Sequence, residues 1–220
     1  MRLEILLASE MVIGTVGTSS PLVDIDTVCD EFGLPEIPAT RLSSRLRDAM
    51  LAIIDRPGDD EETGEARRST AARLLGMPEA IGSSRLVTVD TARLPDTYRS
   101  SVAALADGLA RTGARQWVVE QCRSTHLVRR VQTRSDKDRG PVPETMRVSA
   151  AVREGTVLYA PVSWKRPPRD DEWELFEQVV GALRQVGGGE SNGWGLVTCR
   201  IDGTRPVAAP VAAGQERGAR

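Results

Sequence analysis

Residues 187–195 read Gly-Gly-Gly-Glu-Ser-Asn-Gly-Trp-Gly, and the segments on either side decide what kind of chain this is. Upstream, 171–186 (DEWELFEQVVGALRQV) places Trp173, Phe176, Val179, Val180 and Leu183 at helical spacing, which predicts an amphipathic helix. Its acidic start suits a helix N-terminus. Downstream, 194–202 (WGLVTCRID) reads as a strand. A glycine turn that follows a helix and precedes a strand has the reverse order of a dinucleotide-binding fingerprint. No Gly-Lys-Ser/Thr follows it, so it is not a Walker-type phosphate-binding loop. Glycine permits positive φ and close approach of another backbone. Successive N–H groups in such a turn can cradle phosphate oxygens. Gly187, Gly188, Gly189, Ser191, Asn192 and Gly193 are therefore candidate contacts to a phosphate backbone.

Working outward, Leu3, Ile5 and Leu7 alternate in a first strand over 2–8. A small-residue loop (14–21) and an irregular stretch (22–38) follow. Leu42, Leu46, Met50 and Ile53 predict a helix from Thr40. Residues 57–69 are charged and predict a surface loop, and 84–94 a strand. Residues 97–113 have weak helical character, 116–122 (QWVVEQC) read as a strand, and 123–143 are basic without a continuous core face. Residues 146–151 and 156–163 predict a β-hairpin turning at 153–155. The order predicts an α+β fold, with a ferredoxin-like (RRM-like) split βαβ core and a thumb-like insertion. The first half of the core is assigned to 1–96, the insertion to 97–143 and the second half to 144–203. A disordered tail is expected over 204–220. RNA-recognition modules share this arrangement.

Net charge over the 220 residues is −2, which alone argues against a simple nucleic-acid binder. The distribution matters more: residues 97–140 carry 9 basic and 4 acidic side chains, whereas 1–96 carry 10 and 17. All basic residues except Lys137 and Lys165 are arginines, suited to bidentate phosphate contacts. Cys29, Cys122 and Cys199 form no CxxC pair, so free buried thiols are expected rather than a zinc knuckle or disulfide framework. No apolar run is long enough to span a membrane, and the N-terminus has no signal-peptide pattern. The expected location is cytoplasmic.

Four segments, in order, resemble the RAMP superfamily, the repeat-associated proteins of CRISPR effector complexes. They are LPEIPATRLSSRLRDAML (34–51), RLLGMPEAIGSSRLVTVDTARL (73–94), RVQTRSDKDRGPVPETMRVSAAVREGTVLYA (130–160) and the glycine turn running into Leu196 and Val197. Length and layout are most similar to the backbone subunit of type III complexes. The resemblance implies a subunit that stacks with copies of itself or homologous subunits along guide RNA, beside other effector subunits, in antiviral defence. It also implies a thumb that meets the guide–target RNA duplex. On this reading Arg41, Arg45, Arg129, Arg130, Arg134 and Arg139 join the glycine turn as RNA-binding candidates.

The chain departs from the family at one place that matters. Active backbone subunits cut target RNA with an aspartate in the loop after the first strand, and here Ser19 stands where that aspartate is expected. A serine neither holds a divalent cation well nor replaces a carboxylate. Asp24, Asp26 and the single histidine, His126, are the alternative catalytic candidates. The leading expectation is a guide-RNA-binding subunit without a cofactor. The alternative is a metal-dependent endoribonuclease acting on target or precursor RNA, the only case in which Mg2+ is called for.

Overall fold

The computed structural model describes residues 1–15, 23–54, 61–76, 85–111, 113–132, 135–136, 140–141, 146–188 and 193–207. Ser19, Arg134, Arg139, Gly189, Ser191 and Asn192 lie outside the described residues, as does the tail beyond 207.

The elements in chain order are β1 (Arg2–Leu7), α1 (Ala39–Ile54), α2 (Glu61–Leu75), β2 (Val87–Val89), α3 (Asp96–Ala110), α4 (Arg115–His126), β3 (Leu127–Gln132), β4 (Ser135–Asp136), β5 (Gly140–Pro141), β6 (Arg147–Val152), β7 (Val157–Trp164), α5 (Asp170–Ala182) and β8 (Val197–Asp202). The chain is thus α+β, as its patterning predicts. One antiparallel sheet has the order β2-β7-β1-β8. β1 and β2 run parallel with β7 between them, and β7 and β8 run parallel with β1 between them. Each β-α-β unit is therefore split by a strand of the other. A second sheet pairs β3 with β6, from Leu127 opposite Val152 to Gln132 opposite Arg147.

Period-two burial of Leu3, Ile5 and Leu7 (at most 1% exposed) sets the inner face of β1. α1, α2 and α5 pack together as the helical layer. α1 buries Leu42, Leu46, Met50, Ile53 and Ile54, and α5 buries Leu175, Phe176, Val179 and Val180. Phe176 meets Trp164 edge-on at 5.3 Å between centroids, a favoured geometry for aromatic pairs. Glu172 is fully buried in α5, where Arg166 Nη1 and Nη2 donate to its two oxygens at 2.8 and 2.6 Å. The Arg166 hydrogen bond is the largest influence on that carboxyl and holds it below the usual carboxylate range.

Four expectations need correction. First, residues 146–151 and 156–163 do not form a hairpin: β6 pairs with β3, and β7 pairs with β1 and β2. The connection steps between sheets, since Arg153 N–H donates to the His126 carbonyl while Gly155 N–H donates to the Leu7 carbonyl. Second, 116–122 is helical, inside α4. Val118 and Cys122 are buried one turn apart, and Trp117 points outward at 54% exposed. Third, the charged segment 57–69 is not wholly loop, because 61–69 belong to α2. Its Glu, Ala, Arg and Leu content favours helix. Thr70 Oγ1 then anchors it to Asp171 at 3.1 Å. Fourth, the helix before the glycine turn ends at Ala182 rather than at Gly187, and Leu183 is extended. The region assigned to a projecting insertion is also folded in part against the body: Val102, Ala106, Val118 and Cys122 of α3 and α4 join the core cluster. Among the described residues no helix is long and apolar enough to cross a membrane.

Candidate nucleic-acid interface

The glycine turn is docked on the backbone that follows β1. Gly188 N–H donates to the Val12 carbonyl at 2.9 Å, Gly195 N–H to the Glu10 carbonyl at 2.7 Å, and Val186 N–H to the Gly195 carbonyl at 2.8 Å. Close packing and backbone conformation account for most of these glycines. Gly187 and Gly195 have φ of 82° and 72°. A Cβ on Gly187 would stand 2.5 Å from the Val12 carbonyl oxygen, and one on Gly195 only 1.8 Å from that of Val186. Gly193 has φ 72° with open space around it. Gly188 has neither a positive φ nor a close neighbour, the nearest atom being Val12 O at 3.9 Å. Its lack of a side chain therefore has no steric cause within the described residues.

α1 brings its arginines to this turn. Arg45 Nη2 donates to the Gly187 carbonyl at 2.9 Å, and Asp48 lies 3.8 Å from Arg45 Nη1. Arg41, one turn earlier on the same helix face, is exposed.

β3 carries the other described candidates. Arg129 is exposed and has no partner among the described residues. Arg130 is bidentate to Glu10, its Nε and Nη2 each facing one carboxylate oxygen. That pair belongs to a series. Asp26 pairs with Arg123 at 2.5 Å, Glu31 with Arg115 at 3.0 Å, and Asp30 with Arg99 at 3.6 Å. The acidic N-terminal half and the basic middle segment thus meet each other within one chain. Sequence reading missed Glu10, Asp30 and Glu31 as partners. The acidic run 24–36 was a visible signal for the last two, and nothing marks Glu10.

The catalytic candidates do not converge. Asp24 accepts the Val148 N–H at 2.7 Å and so fastens the loop to β6. Asp26 is 2% exposed and also accepts the Thr27 N–H at 2.9 Å. His126 ends α4, with its Nε2 3.1 Å from Tyr98 Oη and the two rings edge-to-face at 5.6 Å. Burial, and secondarily Arg153, push the His126 imidazole below its ordinary value. Among the described residues no three His, Cys, Asp or Glu side chains gather as a metal site.

The model of the RAMP superfamily matches residues 4–198. The chain belongs to the RAMP superfamily. Its fold is similar to that of a chain of the type III-B Cmr-beta structure in the apo state, solved by cryo-EM. That match has TM-score 0.64 and 14% identity, and covers 90% of this chain and 95% of the other. Type III-B Cmr-beta bound to cognate target RNA gives TM-score 0.63 and 13% identity over the same shares. A type IV-B CRISPR complex chain gives TM-score 0.53 and 13% identity, covering 99% of each. No curated protein matches the sequence. Within this RAMP fold the glycine turn, the N-terminal end of α1 and the β3–β6 ribbon are the elements that carry the arginine and backbone-amide candidates.

Proposed function

We propose that this RAMP protein is a guide-RNA-binding, backbone-type subunit of a multi-protein CRISPR effector complex. It grips the RNA backbone without reading sequence. The observation that carries the reading is the family match over 4–198 joined to a fold likeness covering 90% of the chain with type III-B Cmr-beta, one example of which is bound to cognate target RNA. The chemistry available supports it. Exposed arginines give sequence-independent phosphate contacts, which position a nucleic acid without specifying it. Arg129 and Arg41 present uncommitted guanidinium groups among the described residues, and Arg45 ties α1 to the glycine turn through the Gly187 carbonyl. Partners are guide and target RNA, other effector subunits and copies of itself or homologues, in the cytoplasm.

Metal-dependent RNA cleavage is the competing activity. Asp24 and Asp26 favour it little, because each is engaged in holding the loop after β1 against its neighbours. Co-expression with neighbouring subunits and a guide decides between the readings. The expected result is co-purification of RNA of defined length with several proteins, and no Mg2+-dependent target cleavage that depends on Asp24 or Asp26. A chain that elutes with its partners but carries no RNA would overturn the RNA-binding assignment.

A further inference from the structure

We propose that Glu10 is an anion-mimicking gate: its carboxylate fills the guanidinium fork of Arg130 in the RNA-free chain, and an RNA phosphate takes that fork on binding. The inference rests on the RNA-binding reading above. It begins from geometry. A carboxylate held by Nε and Nη2 of one arginine occupies the same two donors that a phosphate would use bidentately. While the pair is closed, Arg130 offers RNA no free fork and the site has no net charge.

The position of Glu10 supports exchange. Its own carbonyl accepts the Gly195 N–H, and Leu196 N–H donates to Ser9 Oγ at 2.9 Å. The gate therefore sits where the end of the glycine turn meets β3, between two elements proposed to hold the same backbone. A bare carboxylate there would repel an incoming phosphate, and Arg130 neutralises it.

The pair is also dispensable for holding the ribbon. β6 is fastened to the N-terminal segment by backbone bonds: Met11 and Val152 exchange N–H donors at 3.1 and 2.7 Å, Asp24 N–H donates to the Val148 carbonyl at 2.8 Å, and Ala150 N–H donates to the Ile25 carbonyl at 2.9 Å. The Arg130 side chain is 48% exposed and that of Glu10 19%, so water reaches the arginine side of the pair and its net contribution to stability is modest. Opening it exchanges one bidentate anion for another at Arg130 and leaves the β6 attachment intact.

The test is RNA binding by the full chain across a salt series, with single-stranded RNA of fixed length as the probe. Glu10→Gln is expected to bind several-fold more tightly and to steepen the salt dependence of log affinity by roughly 0.7. Arg130→Gln is expected to weaken binding, and the double variant to behave as Arg130→Gln, since Glu10 acts through that fork. Unchanged or weaker binding by a folded Glu10→Gln chain overturns the gate while leaving the RNA reading intact. So does a Glu10→Gln chain that fails to fold, because the pair is then a structural brace. A double variant tighter than Arg130→Gln overturns it too, since Glu10 then acts by general repulsion. If wild type and every variant bind no RNA, the RNA reading fails and the gate falls with it.

Discussion

The carboxylate of Asp26, 2% exposed, accepts a hydrogen bond from Arg123 Nη2 at 2.5 Å, joining the loop after β1 to α4 across 97 residues of sequence. In sequence Asp26 is a candidate for chemistry. In the fold it is a buried anchor, with a second bond to the Thr27 N–H. Removing one member of a buried pair strands the other's charge, at up to several kcal/mol. Arg123 is 22% exposed, which softens the penalty. Asp26→Ala is therefore expected to lower unfolding free energy by about 2 kcal/mol, measured by urea denaturation. A stability within error of wild type, together with abolished target cleavage in the complex, would return Asp26 to the catalytic candidates.

The glycine turn separates into positions that hold the fold and a position that does not. Gly195→Ala must force a Cβ against the Val186 carbonyl while keeping φ at 72°. Both effects are unfavourable, and together they are expected to cost about 3 kcal/mol or more. At Gly188 an added Cβ meets nothing closer than 3.9 Å, and Gly188→Val is expected to fold normally while binding RNA more weakly. Thermal melts and RNA titrations of the two variants check this. Equal RNA affinity for Gly188→Val and wild type would reduce Gly188 to a turn residue.

Much of this fold is legible in the sequence because local periodicity and burial agree. Leu3, Ile5 and Leu7 alternate and are buried, and α1 and α5 show the helical faces their spacing predicts. The errors fall where one segment serves two surfaces. β6 buries Ser149 through Val152 consecutively, covered on both sides, so its alternation is lost and its partner strand cannot be read locally. The turn after it bonds to the end of α4 through Arg153 and to β1 through Gly155, which no hairpin signal encodes. The glycine turn is visible as a motif, but the division of labour between Gly188 and Gly195 depends on Val12 and Val186 approaching from elsewhere. The Glu10–Arg130 pair spans 120 residues and leaves no local trace.

His126 gives the fold a titratable weak point near neutrality. Burial first and Arg153 second hold its folded-state affinity for a proton below the ordinary value of 6.5. The unfolded chain therefore binds that proton more readily than the folded one. The stabilisation from neutral His126 is complete above about pH 6.5 and falls away as pH drops from there through the depressed folded value. Wild type is expected to lose stability between about pH 7 and pH 5, and His126→Gln to lose less over the same range. Denaturation midpoints at several pH values check this, and parallel slopes for the two chains would remove His126 as the source.

Burial also predicts thiol behaviour. Desolvation pushes both Cys29 and Cys199 up to about 12, where almost no reactive thiolate exists at neutral pH. Cys122 is raised as well, again chiefly by burial. The native chain is expected to resist iodoacetamide at about pH 8, and all three cysteines to react once it is unfolded. Rapid labelling of Cys29 in the native chain would mean that the segment around it opens readily, since Cys29 is the least buried of the three.

Arg129 offers the cleanest test of RNA binding by the basic segment, because the fold does not depend on it. Its neighbour Arg130 is committed to Glu10, and Arg123, on α4, to Asp26. Charge changes at those positions alter internal pairs as well as any external one. Arg129 lies on β3 opposite Ala150, is exposed, and has no partner among the described residues. Arg129→Gln should leave the melting midpoint unchanged. If the side chain meets a phosphate, removing its charge flattens the dependence of log affinity on log salt by roughly 0.7 for a single strand. Arg129→Gln is expected to show that flattening with weaker binding at low salt and a smaller deficit at high salt, for RNAs of unrelated sequence alike. The effect should be uniform because phosphate groups carry no base information. A variant whose affinity falls for one sequence and not another would place Arg129 at a base. An unchanged affinity and slope would remove Arg129 from the RNA surface and leave the interface to Arg130, α1 and the glycine turn.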